Sequence, residues 1–549
     1  MSETGPARRL LAAALLGGVA VPMLWTALEA VRSGTQLQAW RTLPQEPALW
    51  QALALTLWTG VASTLLAWWC AATLLAQGFV RQRLAQLLRG LPLMLATPHA
   101  ALAIGLLFLL SPSGWLLRAL SPWLTGFEHP PPWPTTQDPW GLGLILALVA
   151  KEVPFLLWTA ATQLERDDVR QRWRAEHALA QTLGYTPRRA FWLVLWPQLA
   201  ARLRWPLLAV LAYSLTVVDM ALVIGPATPP TLAVLAWQWL QDVEPATYAR
   251  GAAAGVLLAL TVLACSASWL GAQRAHRWVL AHGRGRRGEI RDTSRPDGAW
   301  LGLLGSLYAA VLLALAAGSF SGVWAFPAVW PQTWTLQAWT QVAQSSTTLW
   351  TTLWLATLSS ALALAWSVAW LELAPHRWDQ ALRPVLYLPL VLPTVLWVVG
   401  LYGMGLRWQL EGSATGLLLA HMLMVLPYVL LALSPAYLGF DPRYAQLHAS
   451  LGQGGWRFLW RVKWPLLRRS LASAAAVGFA VSVAQYLPTL YVGAGRFSSV
   501  TTEAVTLAAG GQRSLTSAYA GLQILLPVLA FALAAWLGRP RRFRHAPRS

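Results

Sequence analysis

LGYTPRRAFWLVLWPQL, residues 183–199, is a basic, proline-ended segment in a chain that is otherwise mostly apolar, and LGQGGWRFLWRVKWPLL, residues 451–467, is its altered copy. In each copy proline follows glycine by 13 residues, Gly184 to Pro197 and Gly452 to Pro465, with Arg or Lys between them. In the first copy Gly184 can end one short helix, and Thr186-Pro187 can start another, with Thr as N-cap and Pro at the first helical position. Pro197 is expected to break or kink the chain before the next helix. The segment therefore reads as helix, turn, helix. Its second copy has Gln453-Gly454-Gly455 where the first has Tyr185-Thr186-Pro187, lacks the Thr-Pro start, and is expected to be the less rigid of the two.

Leu179, Leu183, Phe191 and Leu195 recur at helical spacing beside Arg174, Arg188 and Arg189, so one face is apolar and another basic. One copy alone would equally suit an interfacial helix resting on anionic membrane lipid. Two copies at matched places argue for a partner with two equivalent sockets.

The surrounding chain is built for lipid. Of 549 residues 56% are hydrophobic and only 11% charged, whereas soluble domains carry about 25% charged residues. Apolar runs of about 20 residues, the length that spans a bilayer core, recur from end to end. Twelve transmembrane helices are expected, at roughly 10–29, 49–77, 91–111, 140–162, 205–226, 249–272, 300–319, 348–373, 384–406, 415–436, 471–492 and 517–537. The first, after Arg8-Arg9, is long for a signal peptide and lacks a good cleavage site, so it reads as retained.

A net charge of +20 would suggest nucleic acid in a soluble protein, but here position matters more than the sum. With a cytoplasmic N-terminus, 33 basic residues fall on inside segments and 7 on outside ones. That ratio fits the positive-inside rule, puts both termini in the cytoplasm, and leaves no nucleic-acid partner to explain. The 35 Trp read chiefly as interface anchors. Cys70 and Cys265 sit in apolar runs with neither metal-ligand nor CxxC spacing.

Residues 272–299 are polar and strongly basic, a cytoplasmic linker between a first unit, 1–271, and a second, 300–549. Landmarks repeat across it at constant spacing. Gly184 and Gly452, Pro197 and Pro465, Ser214 and Ser482, and Gly225 and Gly493 are each 268 residues apart, while Pro98 and Pro393, and Gly105 and Gly400, are 295 apart. The 27-residue difference is largely a Pro-rich outside loop at 111–140. The expected fold is all-α and integral to the membrane, two parallel six-helix repeats in one covalent pseudo-dimer.

Lys151 and Lys463 lack the Gly-rich GK[ST] setting of a nucleotide-binding loop, and HExxH, GxSxG and paired CxxC are absent, so the chain does not read as an enzyme. Three ionisable residues lie inside apolar runs, where each costs roughly 2.5–3.5 kcal/mol at a helix centre: Lys151, Glu152 and Asp219. Lys151 and Glu152, being adjacent, face different ways and do not simply pair. Asp219 has Leu487 at its 268-residue counterpart, so the units differ there. These carboxylates also leave open an ion-gradient-driven carrier.

The repeated segment resembles the EAA loop of ATP-binding-cassette importer permeases, whose pattern is Glu-Ala-Ala, three residues, Gly, nine residues, Ile-x-Leu-Pro. Both copies keep the Gly-to-Pro spacing; the Glu-Ala-Ala positions read Ala178-Leu179-Ala180 and Gln446-Leu447-His448, without the glutamate. The whole chain is similar to fused permeases of the ferric iron and thiamine import type. The resemblance implies a bacterial inner-membrane subunit coupled to a homodimeric ATPase, with an extracytoplasmic substrate-binding protein above. ATP and Mg would bind the ATPase, and this chain would hold no cofactor. It implies ATPase coupling through Gly184, Arg188, Arg189, Phe191, Pro197, Gly452, Arg457, Arg461 and Pro465. The helix after each loop would line the seam between units, making Tyr213, Asp219, Gln485 and Tyr486 the substrate-path candidates. A cationic cargo, thiamine-like or ferric iron, suits Asp219.

Overall fold

The computed structural model describes residues 6–80, 90–164, 167–282, 299–452 and 455–539. Among them every element is helical apart from a single bridge between Ser321 and Trp334. In chain order the helices that matter here are α1 (Pro6–Gly34), α2 (Pro47–Val80), α3 (His99–Leu110), α4 (Leu142–Leu164), α5 (Asp167–Thr182), α6 (Arg204–Thr216), α7 (Asp219–Ile224), α8 (Leu232–Leu240) and α9 (Pro245–His282). The second series is α10 (Ala299–Ser319), α11 (Ser346–Leu373), α12 (Thr394–Arg407), α13 (Ala414–Leu438), α14 (Arg443–Ser450), α15 (Trp464–Val483), α16 (Leu487–Val492), α17 (Val500–Gly510) and α18 (Arg513–Leu537).

Ten described helices are long and apolar enough to cross a membrane, and a bent pair, His376–Val391 with α12, makes an eleventh at an angle of 105°. The expected span at 205–226 is instead interrupted. Extended backbone at Val217 (φ −64°, ψ 134°) separates α6 from α7, where two β-branched residues in succession weaken the helix. The counterpart break lies between α15 and α16, ahead of Pro488.

The landmark prolines are also breaks. Pro98 drives Thr97 extended (φ −70°, ψ 117°) and splits the expected 91–111 helix, and Pro393 does the same to Leu392 (φ −80°, ψ 141°). Sequence periodicity did not announce α8 and α17, short helices placed between the broken span and the last one of each series. Each begins on a threonine from a long helix: Leu232 N–H donates to Thr56 Oγ1 (2.7 Å) and Val500 N–H to Thr352 Oγ1 (2.9 Å).

The two series are interleaved rather than side by side. α1 packs on α12 and α11 of the second series, burying Val19 and Met23 among Trp366, Trp370, Trp397 and Met404. α10 packs in turn on α3 and α18. The landmark glycines mark both crossings: a Cβ at Gly105 would stand 2.5 Å from Val311 Cγ1, and one at Gly400 would land on the Thr26 carbonyl oxygen. Small residues permit this close helix approach in a bilayer, where packing itself drives association.

Of the expected linker, residues 272–282 continue α9 and 283–298 lie outside the described residues. So do Gln453 and Gly454 of the second basic segment.

Candidate coupling surface and seam

The first basic segment has the expected start. α5 ends before Gly184, whose φ of +88° is a left-handed conformation that favours glycine. Thr186 Oγ1 accepts the Arg189 N–H (3.3 Å) and Pro187 opens the helix Pro187–Ala190. In the second segment α14 is followed by Gly452 at φ +70° and then the helix Gly455–Phe458.

Helical backbone continues through Pro197 and Pro465, so of the break or kink expected at Pro197 the break does not occur. Each is preceded by one wide π-helical turn, Phe191–Leu195 and Leu459–Lys463, in which Trp196 N–H donates to Phe191 O and Trp464 N–H to Leu459 O, five residues back. A proline ring clashes with the carbonyl four residues earlier in a regular helix; widening the turn moves that carbonyl aside, so the helices Trp196–Arg202 and α15 run through the proline.

The copies are set into the protein differently. Ala190, Phe191 and Leu195 are buried, Phe191 against Phe79 (centroids 5.7 Å) and Trp196 against Trp68 (4.7 Å). No residue of Gly455–Phe458 or Leu459–Lys463 is buried. What the copies share is an outward face. Leu179 and Leu183 are 62% and 67% exposed, and their 268-residue counterparts Leu447 and Leu451 are 63% and 67% exposed. Arg188, Arg457 and Arg461 are exposed beside them, and Arg189 lies over the Tyr185 ring (5.4 Å).

Sequence reasoning missed the brace of the first copy. Trp173 Nε1 donates to Gln198 Oε1 (3.1 Å), Gln198 Nε2 to Glu176 Oε2 (2.6 Å), and Arg172 Nε to Glu176 Oε1 (2.7 Å). These bonds, from Gln198 first and then Arg172, hold the Glu176 carboxyl below its ordinary range. The signal lay two residues before Ala178, where a glutamate stands outside the register searched for one.

At the seam the structure gathers most of the expected residues. Asp219 opens α7, beside Tyr213 at the end of α6, and lies within Coulombic range of both Tyr213 and Tyr486. The Tyr213 ring packs at a tilt of 44° against His99 (centroids 4.5 Å), and His99 Nε2 stands 4.0 Å from Glu152 Oε1. Tyr486 is packed in one apolar core with Val217 and Val218. Gln485 offers its backbone carbonyl to Thr489 Oγ1 (3.1 Å). Neither His99 nor that contact had a sequence signal.

Lys151 bridges to another helix. Its Nζ donates to the carbonyls of Met94 (3.2 Å), Leu95 (3.1 Å) and Thr97 (2.5 Å), the groups orphaned where Pro98 stops the preceding helix. In the second series His421, 1% exposed, ties the break between α15 and α16, with Nδ1 against Ser482 Oγ and Nε2 against Thr489 Oγ1, both 2.9 Å. Ser214, the counterpart of Ser482, is buried and its Oγ has no such partner.

A chain of broken spans meeting at a seam, with two matched basic segments, is the build of a membrane permease. Along its length it is 33% identical to the inner membrane ABC transporter permease protein YnjC of Escherichia coli K12, covering 96% of this chain and 97% of that one. The chain belongs to the ABC transporter permeases and is a multi-pass inner-membrane protein, the permease subunit of an ABC importer. Shorter stretches match the thiamine transport system permease protein ThiP of Salmonella typhimurium (35% over 18% of this chain and 19% of that one) and the molybdenum transport system permease protein ModB of Mycobacterium tuberculosis (30% over 20% and 47%). No family model matches. As a permease it is a transport subunit, and permeases of this class work with an ATPase and a substrate-binding protein.

Proposed function

We propose that the two basic segments are the docking sites for a homodimeric ATPase, which carries the ATP and Mg, while this chain binds no cofactor. The observation that carries the reading is the matched exposure of Leu179 and Leu183 with Leu447 and Leu451, apolar side chains left uncovered by the rest of the protein in segments that also expose arginines. The coupling residues would be Gly184, Arg188, Arg189, Phe191, Pro197, Gly452, Arg457, Arg461 and Pro465. Two such faces 268 residues apart in one chain suit two identical subunits. Replacing Arg188 and Arg189 together by Glu, or Arg457 and Arg461 together by Glu, is expected to abolish co-purification of the ATPase. Binding at the parent level would sink the assignment.

The topology proposed with it has twelve crossings, with the broken α6–α7 and the bent pair each counted as one, in two parallel units, 1–271 and 300–549. Both termini lie in the cytoplasm, a substrate-binding protein docks outside, and lipid surrounds the spans. The distribution of 33 basic residues inside against 7 outside supports it.

Tyr213, Asp219, Gln485 and Tyr486 line the proposed path. Of the two cargo classes the sequence suggests, an organic cation of thiamine type is the better fit: Asp219 supplies a carboxylate in the neighbourhood of the Tyr213 and Tyr486 rings. No group of three His, Cys, Asp or Glu that could hold an iron ion lies together among the described residues. Asp219→Asn is expected to lower ATP-dependent uptake of radiolabelled thiamine into proteoliposomes several-fold, and uptake equal to the parent's would refute the site.

A further inference from the structure

The two proposed docking segments join the membrane helices through chemically different junctions. In the first, the residue before Trp196 is Leu195, 1% exposed, packed in one apolar core with Phe191 and with Ala76 near the end of α2. In the second, the counterpart of Leu195 is Lys463, and the counterpart of Ala76, at the 296-residue spacing that relates Thr56 to Thr352, is Glu372. Lys463 Nζ donates to Glu372 Oε2 at 2.6 Å, with side chains 14% and 26% exposed.

Four elements converge on that pair. Glu372 is the penultimate residue of α11 and Tyr437 of α13. The Tyr437 hydroxyl donates to the same Oε2 (2.9 Å), the Lys463 ammonium stands 4.0 Å from the centre of the Tyr437 ring, and Trp464 Nε1 donates to the Tyr437 hydroxyl (3.3 Å). The Arg8 guanidinium, at the start of α1, donates to the Glu372 backbone carbonyl. A carboxylate is unfavourable at a helix C-terminus, where the helix dipole is already negative, so Glu372 gains its place there from the cations that meet it.

The junctions therefore move differently. A close-packed apolar block transmits displacement without a discrete alternative arrangement, because its atoms have no room to rearrange. A part-buried ion pair at the edge of the protein has alternatives: water can reach either partner, and the geometry is directional. Lys463 also sits on the π-helical turn, the place where backbone hydrogen bonding is already looser.

We propose that Lys463, Glu372 and Tyr437 form an ionic joint that transmits movement of the second docking segment to α11, α13 and α1, the first segment using its apolar block instead. The proposal rests on the docking reading above. Lys463, Glu372 and Tyr437 are positioning residues: they set how the segment pulls on the spans, not whether the ATPase binds.

The test uses the full transporter with its ATPase in lipid nanodiscs. Cys70 and Cys265 are replaced by Ala, and Gln485→Cys reports the seam through its rate of labelling by a maleimide. In the parent, ATP with orthovanadate is expected to change that rate at least about fivefold, the lower end of ordinary coupling between sites. With Lys463→Met or Glu372→Gln the ATPase should still co-purify and hydrolyse ATP, but the labelling rate should no longer respond. Tyr437→Phe, which keeps the ring and loses the hydroxyl, should weaken the response. The exchange Lys463→Glu with Glu372→Lys should restore part of it, which ties the response to the ion pair; loss of the response while the ATPase still binds and hydrolyses ATP is what a merely structural role would not give. A full response in Lys463→Met overturns the joint, and so does loss of the ATPase from that variant, which would make Lys463 a docking residue. Absence of any response in the parent overturns the docking reading beneath it.

Discussion

Gly400→Ala is expected to lose folded protein far more severely than Gly105→Ala, although the two glycines are counterparts in sequence. At Gly105 the added methyl meets the end of the Val311 side chain and Leu315, which can turn aside. At Gly400 it meets the carbonyl oxygen of Thr26, backbone of α1 that cannot move without the whole helix. Overpacking a well-filled interface costs about 1–3 kcal/mol, and more where the obstacle is backbone. The neighbourhood offers no slack, since Met23 and Trp397 are 0% exposed. Melting of the detergent-solubilised protein, with Gly105→Ala alongside, checks this. Equal shifts for the two variants would show that the crossings are equivalent after all.

Lys151→Met is expected to destabilise the protein by about 2–6 kcal/mol, what remains when three charge-assisted hydrogen bonds are lost and the cost of placing a lysine in the bilayer is regained. The direction is not obvious. Met inserts into a bilayer more readily than Lys, a gain of about 3 kcal/mol on insertion scales. Against it stand three hydrogen bonds from a charged donor, each worth about 1.5–3 kcal/mol, to carbonyls that no water reaches once Lys151 is gone. Lys151 is itself only 6% exposed, so the lost partners cannot be replaced from outside. The break at Thr97-Pro98 would lose its tie and His99 its fixed approach to Tyr213. Folded yield and melting temperature read the outcome, and a variant that melts with the parent would contradict it.

Much of the architecture was legible because lipid imposes simple demands. Long apolar runs, the sidedness of arginine and the constant spacing of Gly184 and Gly452 all follow from local rules. The interruptions were half legible: Pro98 and Pro393 are visible as prolines, but the break at Val217 has only a weak β-branched signal. The continuity of the helix through Pro197 was missed, since a π-helical turn leaves no mark on periodicity. α8 was invisible because its start is held by Thr56, 176 residues away, whereas α17 carries a local signal that was passed over, a capping box in which Ser499 Oγ accepts the Thr502 N–H (3.2 Å) and Thr502 Oγ1 the Ser499 N–H (2.7 Å). The same limit applies at the seam, where His99 reaches Tyr213 only through the fold. Lys463 looked in sequence like one more basic residue; its partner Glu372 lies 91 positions upstream.

The crossing of α1 with α12 also has a meaning for how the chain is made. α1 leaves the ribosome first, yet the surface that covers Val19 and Met23 belongs to helices some 360 residues later. At about 5–20 residues per second, α1 waits on the order of a minute or less in the bilayer with that face towards lipid. Joining the two series in one polypeptide ensures that the awaited helix arrives tethered to the same molecule, at a high effective concentration and in a fixed one-to-one ratio. Biogenesis of this permease is thus a closing of the first helix by two from the middle of the second series, and a ribosome stalled before residue 394 would leave α1 without α12.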